Sequence, residues 1–135
     1  MTTRVGINGF GRIGRLVARA LRDNPDLELV HINELRGGVE TAAHLLEFDT
    51  VHGRLDAQIE VIDESLELDG RTIGFSAHNT PGGVPWGDVG VDIVLECSGA
   101  FRTSDVLAPY FEVGVQKVLV AAPVRSEGVL NIVMG

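Results

Sequence analysis

Hydrophobic and polar positions change period several times along this 135-residue chain. Residues 4–8 alternate, and Ile13, Leu16, Val17, Ala20 and Leu21 then recur at helical spacing until Asn24-Pro25-Asp26 interrupts them. That predicts a strand, a tight turn and a helix. Residues 27–33, "LELVHIN", alternate again and predict a second strand parallel to the first, completing a βαβ unit. From Val39 to Phe48 the apolar positions Ala42, Ala43, Leu45, Leu46 and Phe48 fit a helix. Between Gln58 and Ser76 the period returns to two, and Asp69-Gly70 supplies hairpin-turn chemistry, so an antiparallel ribbon is expected. The Pro- and Gly-rich residues 79–90 form a loop around the single tryptophan, and a buried strand follows at 91–99. Ser104 and Asp105 can cap a helix running to Gly114, with further strands at 117–123 and 129–134.

Continuous apolar strands alternating with helices imply a mostly parallel sheet covered on both faces. The expected fold is therefore α/β, a Rossmann-type doubly wound sheet carrying an antiparallel hairpin insertion. At this length one domain is expected, spanning 1–135. Strand 129–134 runs to Gly135 with no closing helix, so the chain is expected to be part of a longer protein.

Charge narrows the choice of ligand. Nineteen acidic against eleven basic residues leave a net charge of −8, which repels a nucleic-acid backbone, and no 18-residue apolar run predicts a membrane span. Arg4, Asn8, Arg12 and Arg15 break up the early apolar residues before a secretory core can form, so a cytoplasmic location is expected. The single cysteine, Cys97, excludes an internal disulfide and a multi-cysteine zinc site. It ends a buried strand with no basic neighbour in sequence, and reads as a pocket wall rather than a nucleophile. His31, His44, His52 and His78 show no metal-ligand spacing, and no metal site is expected.

The informative stretch is Gly9-Phe10-Gly11-Arg12-Ile13-Gly14, a Gly-x-Gly-x-x-Gly run placed between strand and helix. Gly9 would make the sharp turn, Gly11 would let a pyrophosphate approach the main chain, and Gly14 would let the helix pack on the strand. The exposed amides and the helix dipole would then hold the anion despite the acidic total. Glu34 follows Gly14 by twenty residues, the position from which a carboxylate accepts hydrogen bonds from the adenosine ribose and repels a 2′-phosphate. NAD is thus favoured over NADP, with Arg36 as a counterweight.

The segments "INGFGRIGR" at 7–15, "HLLEFDTVHGR" at 44–54 and "PWGDVGVDIVLECSG" at 85–99 resemble signatures of the phosphorylating glyceraldehyde-3-phosphate dehydrogenases, and the resemblance runs the length of the chain. It implies that Asn8, Gly9, Phe10, Gly11, Arg12 and Ile13 surround the pyrophosphate, with Arg12 and Ile13 offering main-chain donors. Glu34 replaces the family's usual aspartate, and Asn79 falls where many members have an arginine lining the adenine side. Ser98 and Gly99 match a Thr-Gly pair whose main chain passes close to the cofactor, Phe101 edges the adenine pocket, and Ala121 replaces a serine beside the nicotinamide. The resemblance also implies that the "VHGR" turn at 51–54, His52 included, braces loops and a neighbouring subunit. The family's nucleophilic cysteine and its histidine partner have no counterpart here, so the chain is expected to position NAD without catalysing alone, within a parent protein that is a homotetramer. "INEL" at 32–35 resembles the erythrose-4-phosphate dehydrogenases, whereas "LECSG" with "VAAPV" resembles members associated with arsenate detoxification and covers more positions. The alternative is a free-standing module that binds or senses NAD without chemistry.

Overall fold

The computed structural model describes residues 2–100 and 104–121. Strand β1 (Thr3–Asn8) leads into helix α1 (Arg12–Arg22), strand β2 (Leu27–Asn33) and helix α2 (Gly38–Glu47). A small hairpin of β3 (Phe48–Asp49) and β4 (Gly53–Arg54) follows, then β5 (Ile59–Ile62), β6 (Ser65–Leu68) and β7 (Arg71–Ser76). A single 3₁₀ turn (Pro81–Gly83), β8 (Ile93–Glu96), α3 (Ser104–Glu112) and β9 (Lys117–Val120) complete the described elements. The expected strand at 129–134 lies outside the described residues.

The strands form a seven-stranded sheet in the order β5-β6-β7-β2-β1-β8-β9. The pairs β7–β2, β2–β1, β1–β8 and β8–β9 are parallel, and β5–β6 and β6–β7 are antiparallel. The expected antiparallel ribbon is present, and it joins the main sheet because β7 pairs with β2 on one side and β6 on the other. Its two turns use residues with positive φ, Asp63 (50°) with Glu64 (64°) and Asp69 (53°) with Gly70 (82°), the pairs that a right-twisted hairpin requires. Phe48 leaves the helix assigned from periodicity and starts β3, its backbone extended at φ −112°, ψ 119°.

Each face of the sheet has its own core. On one, Ile7, Ile32, Leu66 and Ile73 pack against Ala18 of α1 and Ala42 and Leu46 of α2. On the other, Val30 and Val94 meet Trp86, Val91, and Leu107 and Tyr110 of α3. Trp86 is fully buried, its indole N–H donating to the Pro81 carbonyl at 3.2 Å. It fits because β1 carries Gly6 beneath it: a Cβ there would lie 2.6 Å from the Trp86 ring. A register shift opposite Val5 and Gly6 inserts one extra residue, Val30, into β2. Val30 and the His31 ring, which meets Trp86 edge-on at 5.4 Å, consequently share a face, while Ile32 returns to the other.

Candidate functional site

The first strand-to-helix corner is built around three glycines with different jobs. Gly9 has φ +93°, and a Cβ on it would lie 2.5 Å from the Ser98 main chain. Gly14 lies against β1 so closely that a Cβ would come 2.3 Å from the Gly9 carbonyl oxygen. Gly11 is the opposite case: among the described residues, nothing lies within 4 Å of where its Cβ would be. As far as the described residues go, the corner is packed below and open above. Gly11 occupies the N-cap position with no side-chain cap, and no acidic residue stands in the first turn of α1. The main-chain amides of Arg12, Ile13 and Gly14 open the helix, where no intrahelical acceptor exists for them. Bare donors and the positive end of a helix dipole facing open space suit an anion.

Side chains tune this corner. Glu34 leaves β2 half-buried, and its Oε2 accepts the Phe10 amide at 3.1 Å. The Gly9 amide is also occupied, donating to the Asn33 carbonyl at 2.9 Å. Phe10 is only 3% exposed and packs into the α1–α2 core, so its side chain anchors the loop from below while Ile13 stands 51% exposed. Arg15 donates from Nη1 to the Phe10 carbonyl at 3.1 Å. Of the loop, Gly11, Arg12 and Ile13 are left to meet a ligand.

Beneath the corner, one row of residues across four strands ends in polar side chains. Asn8 is paired in register with Asn33 and Glu96, and Asn33 with Ser76. All point to the α3 face and join one hydrogen-bonded chain. Ser76 Oγ donates to Asn33 Oδ1 (2.7 Å), Asn33 Nδ2 to Asn8 Oδ1 (2.8 Å), and Asn8 Nδ2 to Glu96 Oε1 (2.6 Å). Tyr110 of α3 donates to the same Glu96 oxygen at 2.6 Å, and the amide and hydroxyl of Ser98 donate to Oε2 at 2.8 and 2.6 Å. Glu96 is 1% exposed, and both its oxygens are satisfied. Burial, with the Glu96 carboxylate beside it, pushes the Tyr110 hydroxyl well above its ordinary range. His31, at the other end, lies 2.8 Å from Ser76 Oγ; burial, and then the nearby His78, lower its pKa to about 4.

The sequence-derived residues fall into place unevenly. Gly9–Gly14, Glu34 and Ser98 come together at the corner. Gly99, at φ +75°, turns the chain directly after Ser98, whose Oγ accepts the Ala100 amide at 3.2 Å. Asn79 is exposed and follows His78, whose main chain is clasped by Asn33. Ala121 is exposed just past β9, held by its amide on the Glu96 carbonyl at 2.9 Å. Phe101 lies outside the described residues. Cys97 is half-buried against the α1–α2 core, and burial, followed by Glu96, pushes its thiol up to about 11, which suits a pocket wall. His52 pairs with Asp49 at 3.4 Å in the β3–β4 hairpin. Sequence reasoning missed His31, Asn33, Ser76, Glu96 and Tyr110. For Asn33, Ser76 and Glu96 the one trace in the sequence is a polar residue at the end of an apolar strand, which does not tell a buried group from a solvated one; His31, inside β2, and Tyr110, on α3, carry no such mark. A groove of about 640 Å³ opens at the start of β2, lined in part by Arg22 and Asp69, which already pair at 2.6 Å; it shares no residue with the corner.

Residues 3–104 match the family model described as glyceraldehyde 3-phosphate dehydrogenase, NAD binding domain. The chain is 60% identical over its full 135 residues to glyceraldehyde-3-phosphate dehydrogenase 3 of Nostoc sp. (strain PCC 7120 / SAG 25.82 / UTEX 2576). The glyceraldehyde-3-phosphate dehydrogenases of Geobacillus stearothermophilus and Bacillus subtilis (strain 168; its enzyme 1) are 47% and 45% identical over the same span. In each case the chain covers 40% of the relative's length. The amide-lined glycine corner, the acid at the end of β2 and these matches agree: the chain belongs to the NAD-binding domain family of the glyceraldehyde-3-phosphate dehydrogenases.

Proposed function

We propose that this chain holds NAD across the C-terminal ends of β1, β2 and β8 and presents it to a separate catalytic domain of an aldehyde-phosphate oxidoreductase. The observation that carries the reading is the space over Gly11, faced by the uncapped amides of α1. The pyrophosphate would sit on the amides of Gly11, Arg12 and Ile13. The Glu34 carboxylate, held at the edge of the loop by the Phe10 amide, would take the ribose hydroxyls and repel a 2′-phosphate. Asn79 and Phe101 would line the adenine side, and Ser98, Gly99 and Ala121 the path toward the nicotinamide. Bound there, NAD supplies a hydride acceptor. This chain's part is orientation, which alone can lower a barrier by about 7–11 kcal/mol.

The parent enzyme, on this reading, oxidises a sugar-phosphate aldehyde at a thiolate supplied by the second domain, as in glycolysis. The likeness at 95–99 adds arsenate beside phosphate as the oxyanion that releases the product. Assembly as a homotetramer in the cytoplasm belongs to the same reading; Val51 and Phe48, 68% and 47% exposed on the β3–β4 hairpin, offer apolar surface for a neighbouring subunit. Calorimetric titration with NAD tests the binding claim, and absence of binding overturns it. Joining the chain to a catalytic domain from a relative should restore aldehyde-dependent NADH formation; binding without turnover in that fusion would favour a free-standing NAD module.

A further inference from the structure

We propose that Glu96 is a positioning residue that, through Asn8 and Asn33, locks the turn at 98–99 to the turn at 78–79, so that both flanks of the cofactor corner are set by one buried carboxylate. The reasoning starts at two main-chain anchors. His78 donates its amide to Asn33 Oδ1 and accepts Asn33 Nδ2 on its carbonyl, both at 2.9 Å, and a main chain cannot exchange those roles. The orientation of the Asn33 amide is thereby settled. Its remaining Nδ2 hydrogen goes to Asn8 Oδ1, which turns Asn8 Nδ2 toward Glu96 Oε1 and Tyr110 Oη, at 2.6 and 2.8 Å. At the far end, the Ser98 amide, again a donor that cannot reverse, points at Oε2. Residue 96 must therefore accept on both sides at once. A carboxylate does so; the amide of glutamine, of the same shape, would set an NH₂ group against either Asn8 Nδ2 or the Ser98 amide.

The same logic runs outward from Asn33. Because Ser76 Oγ spends its hydrogen on Asn33 Oδ1, His31 Nε2 must donate to Ser76, and the imidazole carries its proton on Nε2.

The inference rests on the NAD-binding reading for its effect on affinity, but two of its readouts need no cofactor. In the unaltered chain, ¹⁵N NMR should show the Nε2–H tautomer of His31; the Nδ1–H tautomer would overturn the chain of donors even if no variant folds. In Glu96→Gln, hydrogen exchange should accelerate about tenfold at the amides of both Ser98 and His78, while the β6–β7 ladder keeps its protection. Faster exchange at Ser98 alone would show a local brace and overturn the coupling. NAD affinity of Glu96→Gln should fall about tenfold or more relative to the unaltered chain, and a change of less than twofold would overturn the positioning role. If the unaltered chain itself binds no NAD, the cofactor reading fails, whereas the tautomer and exchange results still judge the lock.

Discussion

Two glycines of the same motif should respond in opposite ways to a side chain. Gly11→Val places its methyls clear of the described residues at an ordinary φ of −76°, so unfolding stability should change by less than about 1 kcal/mol while NAD titration heat disappears. Gly14→Ala drives a methyl to 2.3 Å from the Gly9 carbonyl, and urea denaturation should show a loss of about 2–3 kcal/mol or more. On the proposed reading Glu34→Ala removes the carboxylate that would discriminate against a 2′-phosphate, so the ratio of NADP to NAD dissociation constants should move toward one. An unchanged ratio would remove Glu34 from the ribose site. His31 gives a pH signature. Its folded pKa of about 4 lies below the ordinary 6.5, so the unfolded chain binds more protons between those values. Its contribution is fully present above about pH 6.5 and is lost as pH falls toward 4, at most about 3 kcal/mol. Urea midpoints measured across that window should slope upward with pH, and His31→Gln should flatten the slope. The glycines and Glu34 were legible in the sequence because spacing alone relates them. Asn33 and Glu96 were not, since nothing local distinguishes a strand-end polar residue that is buried from one that is solvated.

Among the elements, the β3–β4 hairpin depends on a side chain from elsewhere. Arg19 of α1 donates to the carbonyls of Leu46 and Glu47 at the end of α2, and to Gly53 in the hairpin, at 2.9–3.2 Å. The last carbonyls of a helix lack intrahelical donors, and a guanidinium suits them in charge and geometry. Arg19→Ala should cost about 1–3 kcal/mol by urea denaturation and hasten limited proteolysis within 48–54. The Arg22–Asp69 pair is more exposed, and its loss should cost less than about 1 kcal/mol. Periodicity located α1 and α2, and it matched β2 at both ends. It missed the small hairpin, whose two-residue strands are too short to show a period; it found the antiparallel ribbon of β5–β7 but not its neighbour in the sheet, because pairing partners leave no mark on alternation.

For the whole molecule, the acidic total and the anion-binding corner coexist because the field that matters is local. Carboxylates distributed over the surface are screened within about 10 Å at 0.1 M salt, whereas on the proposed reading the amides at the start of α1 would face the ligand directly. A ligand held there stabilises the entire fold by linkage. NAD at one hundred times its dissociation constant should add about 2.7 kcal/mol and raise the melting temperature by on the order of 10 °C, with a smaller rise from NADP at equal concentration. No shift at saturating NAD would contradict binding to the folded state. The sequence by itself determined the βαβ start, the glycine corner, the acid twenty residues on and the family, because each is a matter of residue type and spacing along the chain. Only the tertiary structure decided that Val30 bulges out of β2 and reverses the faces of the residues after it, that β7 carries the ribbon into the main sheet, and that Asn8, Asn33, Ser76 and Glu96 stand in one row. Register and burial arise between segments distant in the chain, and their energies are set by partners that no local window contains.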